Sequence, residues 1–366
     1  MALTLLLPMN AAKLQPWNDI ALSGLSILTP LSLLEIASEG ATETELLLAI
    51  GSRNNSNIYR IYWEIIRQLK STEEVEFQIA NMLVVNKEYP LNDYFEVVSQ
   101  YYFEAELNNI DFTNSEQATT EINKWVTDKT NHHIEHLIDP SFIDGNSAVV
   151  LVSAFYFKGN WKYPFSKWMT QNKPFYINSE DFIEIPTMHI TARYKYAESQ
   201  KLDAKILEML YIGEKASMVI VLPNVVDGIE SLLNKLEDLS ILDLEMMNME
   251  LEDVKATIPK ITLESTINVK EVLQQMNVNK IFNDDAEITG LLESRQPIHV
   301  SKAIQKAFIT VDEMGNEAAA GNAAGVSFLS PRAPADVKYF VADHPFVLFI
   351  KKDDITIMSA LYRGSS

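Results

Sequence analysis

MGNEAAAGNAAGVSFLSPRAPAD, residues 314–336, is the stretch whose reading decides the fold. It follows ITVDE, which closes at Glu313, and runs for 23 residues with no core-forming periodicity in its first half. Compact domains rarely hold structureless loops beyond about 15 residues unless the loop is functional or disordered. By composition alone it is an Ala/Gly/Pro loop. Its alternation says more. Asn316, Ala318, Ala320, Asn322, Ala324, Val326 and Phe328 fall on one face of an extended chain, and Glu317 heads the other face. Proline is absent from 315–330, so a complete ladder of backbone hydrogen bonds is allowed there, and Pro331 and Pro334 stand just beyond. Such a segment can be a strand, yet its side chains are too small to hold one unaided. That combination suits conditional insertion into a sheet.

Outward from the loop, the C-terminal part is β in pattern: HVSKAIQKAFITVDE before it, FVLFIKK and ITIMSALY after it. In AVVLVSAFYFKG the unbroken apolar run over residues 148–157 reads as a strand buried on both faces, the middle of a large sheet. FQIANMLVVN at 77–86 is a further strand, and FYINS, EIPTMHI, KILEMLYI and ASMVIVLPN are short ones. Residues 19–38, 58–70, 90–103 and 115–130 carry helical spacing, as do an acidic segment at about 228–239 and, within LESTINVKEVLQQMNV, a segment at about 264–278. There is no repeat, linker or composition break, which makes one α+β domain over 1–366 the economical reading.

Composition bounds the function. The 366 residues are 47% hydrophobic and 22% charged, enough for a sizeable core. With 30 Lys plus Arg against 50 Asp plus Glu, the net charge of -20 repels nucleic acid and heparin-type polyanions and favours a basic partner. No cysteine is present, which excludes disulfides, thiolate metal sites and cysteine nucleophiles. No apolar run reaches the ~18 residues that a membrane span needs. MALTLLLPMNAAK has no basic flank and is short for a secretory leader, so it reads as a helix start or as extraneous residues.

Other motifs carry sharper and blander readings. His132, His133 and His136 could place an i, i+4 pair on zinc, but surface histidines without a carboxylate second shell are the plainer account, and no metal is expected. Asn54-Asn55-Ser56 is a glycosylation acceptor if the chain enters the secretory pathway. Trp161 is either a ligand platform or a core aromatic at the top of the sheet. Glu73–Glu76 and Glu245–Asp253 read as solvated acidic faces. No nucleophile elbow, phosphate loop or metalloprotease signature occurs, so no enzymatic activity is expected.

From about residue 26 to 358 the chain resembles the serpin family. The resemblance is carried by VDEMGNEAAAGNAAG and ADHPFVLFI on either side of the loop, and by TPLSLLEIASEGATETE, in which Thr29, Pro30 and Ser32 match a buried helix start. FQIANMLVVNKEYPL, YYFEAELNNIDF, INKWVTDKT and LVSAFYFKGNWKYPF, with Thr170 and Phe175 following, appear in the family's order. The resemblance implies a large central β-sheet, two further sheets, eight or nine helices and an exposed reactive loop at about 314–336. It also implies a gating position for Trp161, where the loop first enters, and an inhibitor that traps a peptidase as an acyl-enzyme by loop insertion.

The hinge so implied comprises Glu313, Gly315, Asn316, Glu317, Ala318, Ala319 and Ala320. Asn316 and Asn322 depart from the usual small hydroxyl residues, and Ser153 stands where Asn is usual. Counted over the family's usual hinge length from Glu313, the reactive bond falls at Leu329-Ser330. That bond suits a chymotrypsin-like or elastase-like serine peptidase, with papain-like cysteine peptidases as a further class. The alternative bond is Arg332-Ala333, for a trypsin-like target. A non-inhibitory carrier or chaperone is the rival class, although such a serpin would fill the hinge with bulky, charged or Pro residues. The chain is expected to be a monomer acting outside the cell, with the cytoplasm left open, to need no cofactor, and to bind neither nucleic acid nor membrane.

Overall fold

A computed structural model describes residues 2–52, 58–69, 75–314 and 337–365. In chain order the elements are α1 (Ala2–Leu14), β1 (Ile20–Leu22), α2 (Gly24–Ile36), α3 (Gly40–Ile50), α4 (Ile58–Gln68), β2 (Val75–Asn86), α5 (Asp93–Phe103), β3 (Glu106–Ile110), α6 (Ser115–Lys129), β4 (Val149–Gly159), β5 (Gln171–Tyr176) and β6 (Phe182–Ser199). There follow β7 (Ala204–Leu210), β8 (Ala216–Pro223), α7 (Ile229–Lys235), α8 (Leu239–Met247), β9 (Glu250–Pro259), β10 (Ile261–Asn268), α9 (Val269–Gln275), β11 (Val300–Val311), β12 (Lys338–Val341), β13 (Phe346–Lys352) and β14 (Ile355–Tyr362).

Five strands form a mixed sheet in the order β10-β11-β4-β2-β3. β4 is its third strand and is buried almost throughout, as an unbroken apolar run requires. Its neighbours differ in sense: β2 runs antiparallel to it, whereas β11 runs parallel, from Val300 opposite Val149 to Ile309 opposite Phe157. The remaining strands follow the path β1-β14-β13-β8-β7-β6-β9-β12, with β5 on β6. The two further sheets are continuous because they share the 18-residue β6. Its first part pairs with β5, its last with β7, and β9 runs along the middle. Among the described residues no helix is long and apolar enough to cross a membrane.

Several sequence expectations need correction. Helical spacing at 19–38 hides the strand β1, which pairs with β14. The helix start placed at Thr29, Pro30 and Ser32 lies earlier: Ser23 caps α2 by accepting from Ser26 N, and Pro30 sits inside the helix. In LESTINVKEVLQQMNV the first half is strand, because Ile261–Asn268 alternates buried and exposed and pairs with β11, and only Val269–Gln275 is helical. The reading of the N-terminal segment as a helix start agrees with the structure: it is α1, whose Leu7, Met9, Ala11 and Ala12 are buried.

Candidate functional site

The parallel seam between β4 and β11 is closed underneath by a buried polar network at the start of α2. Gln305 of β11, fully buried, donates from Nε2 to Ser153 Oγ of β4 at 3.0 Å and to the Ser23 carbonyl at 3.0 Å, and its Oε1 accepts from Ser23 N at 2.8 Å. Ser153 and Ser26 hydroxyls lie 2.6 Å apart, and Ser26 donates to Asn81 Oδ1 of β2 at 3.0 Å. One proton order satisfies the chain, from Gln305 to Ser153 to Ser26 to Asn81. Ser153 therefore fits its place in the unbroken apolar strand because it has partners on both sides.

Above the seam, the chain that leaves β4 folds back over the end of β11. Trp161 is 2% exposed and stacks on Tyr211 with centroids 4.5 Å apart. Its backbone N–H donates to the Met314 carbonyl at 2.9 Å, and its indole N–H donates to the Asp312 carbonyl at 2.9 Å. Of its two readings the core aromatic holds. Phe165 N–H donates to the Glu313 carbonyl at 2.7 Å.

The Glu313 side chain is nearly buried. Thr170 Oγ1 donates to Oε1 at 2.7 Å, and the Lys260 ammonium lies 2.9 Å from Oε2. Burial works against its charge, but Lys260 and Thr170 outweigh it and hold its pKa below the ordinary carboxylate value. Residues 312–314 are thus fastened through both backbone and side chains at the point where the loop departs. The chain's return is fastened too: β12 pairs in parallel with β9, Ala342 N–H donates to the Thr257 carbonyl at 2.9 Å, and Tyr176 N–H donates to the Asp343 carbonyl at 2.7 Å.

Of the hinge and reactive-bond residues, Glu313 is described and sits in this anchor. Gly315, Asn316, Glu317, Ala318, Ala319, Ala320, Leu329, Ser330, Arg332 and Ala333 lie outside the described residues, as do Asn54-Asn55-Ser56 and the beginning of the Glu73–Glu76 stretch. The three histidines do not converge. They follow the end of α6 instead of lying on a helix; His133 stacks on Tyr156 at 3.7 Å, and His136 faces Asp139 at 3.0 Å. Among the described residues no group of three or more His, Cys, Asp and Glu is placed to hold a metal.

Lys260 was invisible as a functional residue in the sequence, since a lone lysine after a proline carries no signal. Ser23 and Gln305 were missed as well. Gln305 did offer one: a glutamine amid β11's buried positions needs partners.

Comparison with known proteins agrees with this architecture. The sequence model of the family described as Serpin (serine protease inhibitor) matches residues 1–361. Antichymotrypsin-2 of Bombyx mori is 40% identical over 353 residues, covering 96% of this chain and 94% of that protein. Antitrypsin of Bombyx mori is 38% identical over 353 residues, covering 96% and 90%. Among solved structures, Serpin48 of the insect Tenebrio molitor superposes with a TM-score of 0.90 at 28% identity, covering 100% of this chain and 96% of that one. The match spans the sheet, its buried network and both ends of the loop, and the chain belongs to the serpin family of protease inhibitors.

Proposed function

We propose that the protein is a single inhibitory domain that acts as a suicide substrate. A peptidase nucleophile attacks the carbonyl of the reactive residue in the loop, the peptide bond breaks, and the new amine leaves with the C-terminal segment. The freed hinge then enters the five-stranded sheet between β4 and β11, carrying the acylated peptidase with it, and trapping succeeds when insertion outruns deacylation. The inhibitor itself supplies no catalytic group.

One observation carries this reading: β4 and β11 are parallel neighbours, and the loop leaves the end of β11 directly. A strand that turns back from β11 and enters this seam is antiparallel to both neighbours. It replaces one slanted parallel ladder with two antiparallel ones, which gains backbone hydrogen bonds and a stronger pairing geometry. The small face from Asn316 to Ala324 suits that passage. The Glu313 anchor fixes the point from which the loop departs.

The reactive bond is Leu329-Ser330, and the target is a serine peptidase with a large apolar primary pocket. The name of the Bombyx antichymotrypsin accords with that assignment, and that of the antitrypsin relative accords with Arg332-Ala333. Action outside the cell on a basic peptidase goes with the acidic balance and the acceptor sequence at Asn54. Incubation with chymotrypsin, elastase, trypsin and papain, followed by denaturing electrophoresis, tests the proposal. An SDS-stable adduct with chymotrypsin or elastase is expected. Mass spectrometry of the released C-terminal fragment should find Ser330 at its start; Ala333 there would refute the assigned bond. No adduct with any of the four would overturn the inhibitory reading in favour of a carrier or chaperone.

A further inference from the structure

A hollow of about 260 Å³ lies behind the returning end of the loop, where β5, β6 and β9 meet the end of β12. Phe175, Pro174, Val341 and Ala342 supply its apolar lining, and Lys173, His189, Thr187 and Thr257 supply its polar groups. The register explains the grouping: His189 stands directly opposite Thr257, and Thr257 stands opposite Val341, so three strands present one transverse row.

The charge around this row is unbalanced. Neither Lys173 nor Lys255 makes an ion pair among the described residues. His189 Nδ1 lies 3.0 Å from Thr257 Oγ1. Burial, then the positive charges of Lys173 and Lys255, hold its pKa below the ordinary histidine value. A neutral ring that accepts from the Thr257 hydroxyl carries its remaining proton on Nε2, as a free donor. The acidic group on the lining, Asp343, is already engaged, with Oδ1 2.8 Å from His344 Nδ1. An unpaired ammonium, a free ring N–H and an apolar floor in one hollow are complementary to an anion with an apolar body.

We propose that this hollow binds a small aryl carboxylate, its carboxylate on Lys173 and His189 and its ring against Phe175 and Val341. The volume admits a single substituted ring, below the size of a drug-sized ligand site, which runs from about 300 Å³ upward. Bound there, the ligand bridges β5, β6 and the end of β12, and stabilises the folded protein by mass action. The proposal is independent of the inhibitory reading, since it concerns neither the loop nor the seam.

Calorimetric titration of the full chain with benzoate and with its uncharged counterpart benzamide tests it. Benzoate should bind at least about tenfold more tightly than benzamide, the increment of one charge-assisted hydrogen bond. Lys173→Met should weaken benzoate by about tenfold and leave benzamide unchanged, and His189→Gln should weaken benzoate to a smaller extent. Equal binding of the two probes, or no heat from benzoate, would overturn the proposal on the unaltered protein. Undiminished benzoate binding in both variants would move the site elsewhere and overturn it equally.

Discussion

Glu35 gives the protein a pH dependence that a single substitution should remove. It lies in the last turn of α2, is 1% exposed, and neither carboxylate oxygen has a hydrogen-bond partner among the described residues. Burial, reinforced by the negative charge of Glu43, raises its pKa from 4.5 to about 7. The carbonyl end of the helix adds to the unfavourable field. Because the folded-state pKa is the higher one, folded protein holds this proton where unfolded chain has lost it. Stability from this group is therefore fully present below pH 4.5 and is lost as pH rises through about 7. The loss approaches about 3 kcal/mol once Glu35 is ionised in the folded state. Glu35→Gln cannot ionise, and its amide is as poorly partnered as the neutral acid it replaces. Guanidinium unfolding of parent and variant at pH 5, 6, 7 and 8 should give nearly equal midpoints at pH 5. The variant's advantage should then grow, toward about 3 kcal/mol at pH 8. Parallel pH curves for the two proteins, or a variant weaker at pH 8, would refute the reasoning.

Three further outcomes bear on the seam and its anchor. Asn316→Arg or Ala318→Pro should turn the inhibitor into a substrate, cleaved without adduct, because a charge or a missing N–H must enter the sheet during insertion; an unchanged adduct yield counts against insertion. Loop-cleaved protein should melt at a substantially higher temperature than intact protein in a calorimetric scan, since a strand inserted between β4 and β11 would replace one parallel ladder with two antiparallel ones, and no rise would contradict that. Lys260→Met leaves Glu313 buried with Thr170 alone and should cost about 1–2 kcal/mol at pH 7. As the folded pKa of Glu313 is depressed, that contribution exists above the ordinary carboxylate value of 4.5 and fades as pH falls below it, so a loss of equal size at pH 3 would contradict the assignment.

How far the sequence reaches depends on whether each element's cause is local. AVVLVSAFYF could be placed at the centre of a sheet because burial on both faces writes itself as an unbroken apolar run. β1 could not be found, because three residues carry no period and Ile20–Leu22 is a strand only by pairing with β14 at the far end of the chain. Pro30 misled because proline favours a helix's first turn; here the helix begins at Gly24, and the burial of Leu25, Ile27, Leu28, Leu31, Leu33 and Leu34 outweighs one missing hydrogen bond. In LESTIN the period of two was masked by the helical residues that follow it.

The site divides along the same line. The small-residue alternation after Glu313 is local and could be read directly, whereas Glu313 as the beginning of the hinge came from the family resemblance. What makes Glu313 an anchor is not local: Thr170 is 143 residues distant in sequence, and Lys260 arrives from the end of β9. The network under the seam lies between these extremes. A serine inside an apolar strand and a glutamine inside its neighbour are each a demand for a partner, since a buried polar group left alone costs about 1–3 kcal/mol. The sequence shows that demand at Ser153 and Gln305, and the register of β4 with β11 answers it by setting the two residues directly opposite one another. A strand entering between β4 and β11 must separate that pair, so the bond that closes the seam is also one that insertion has to break.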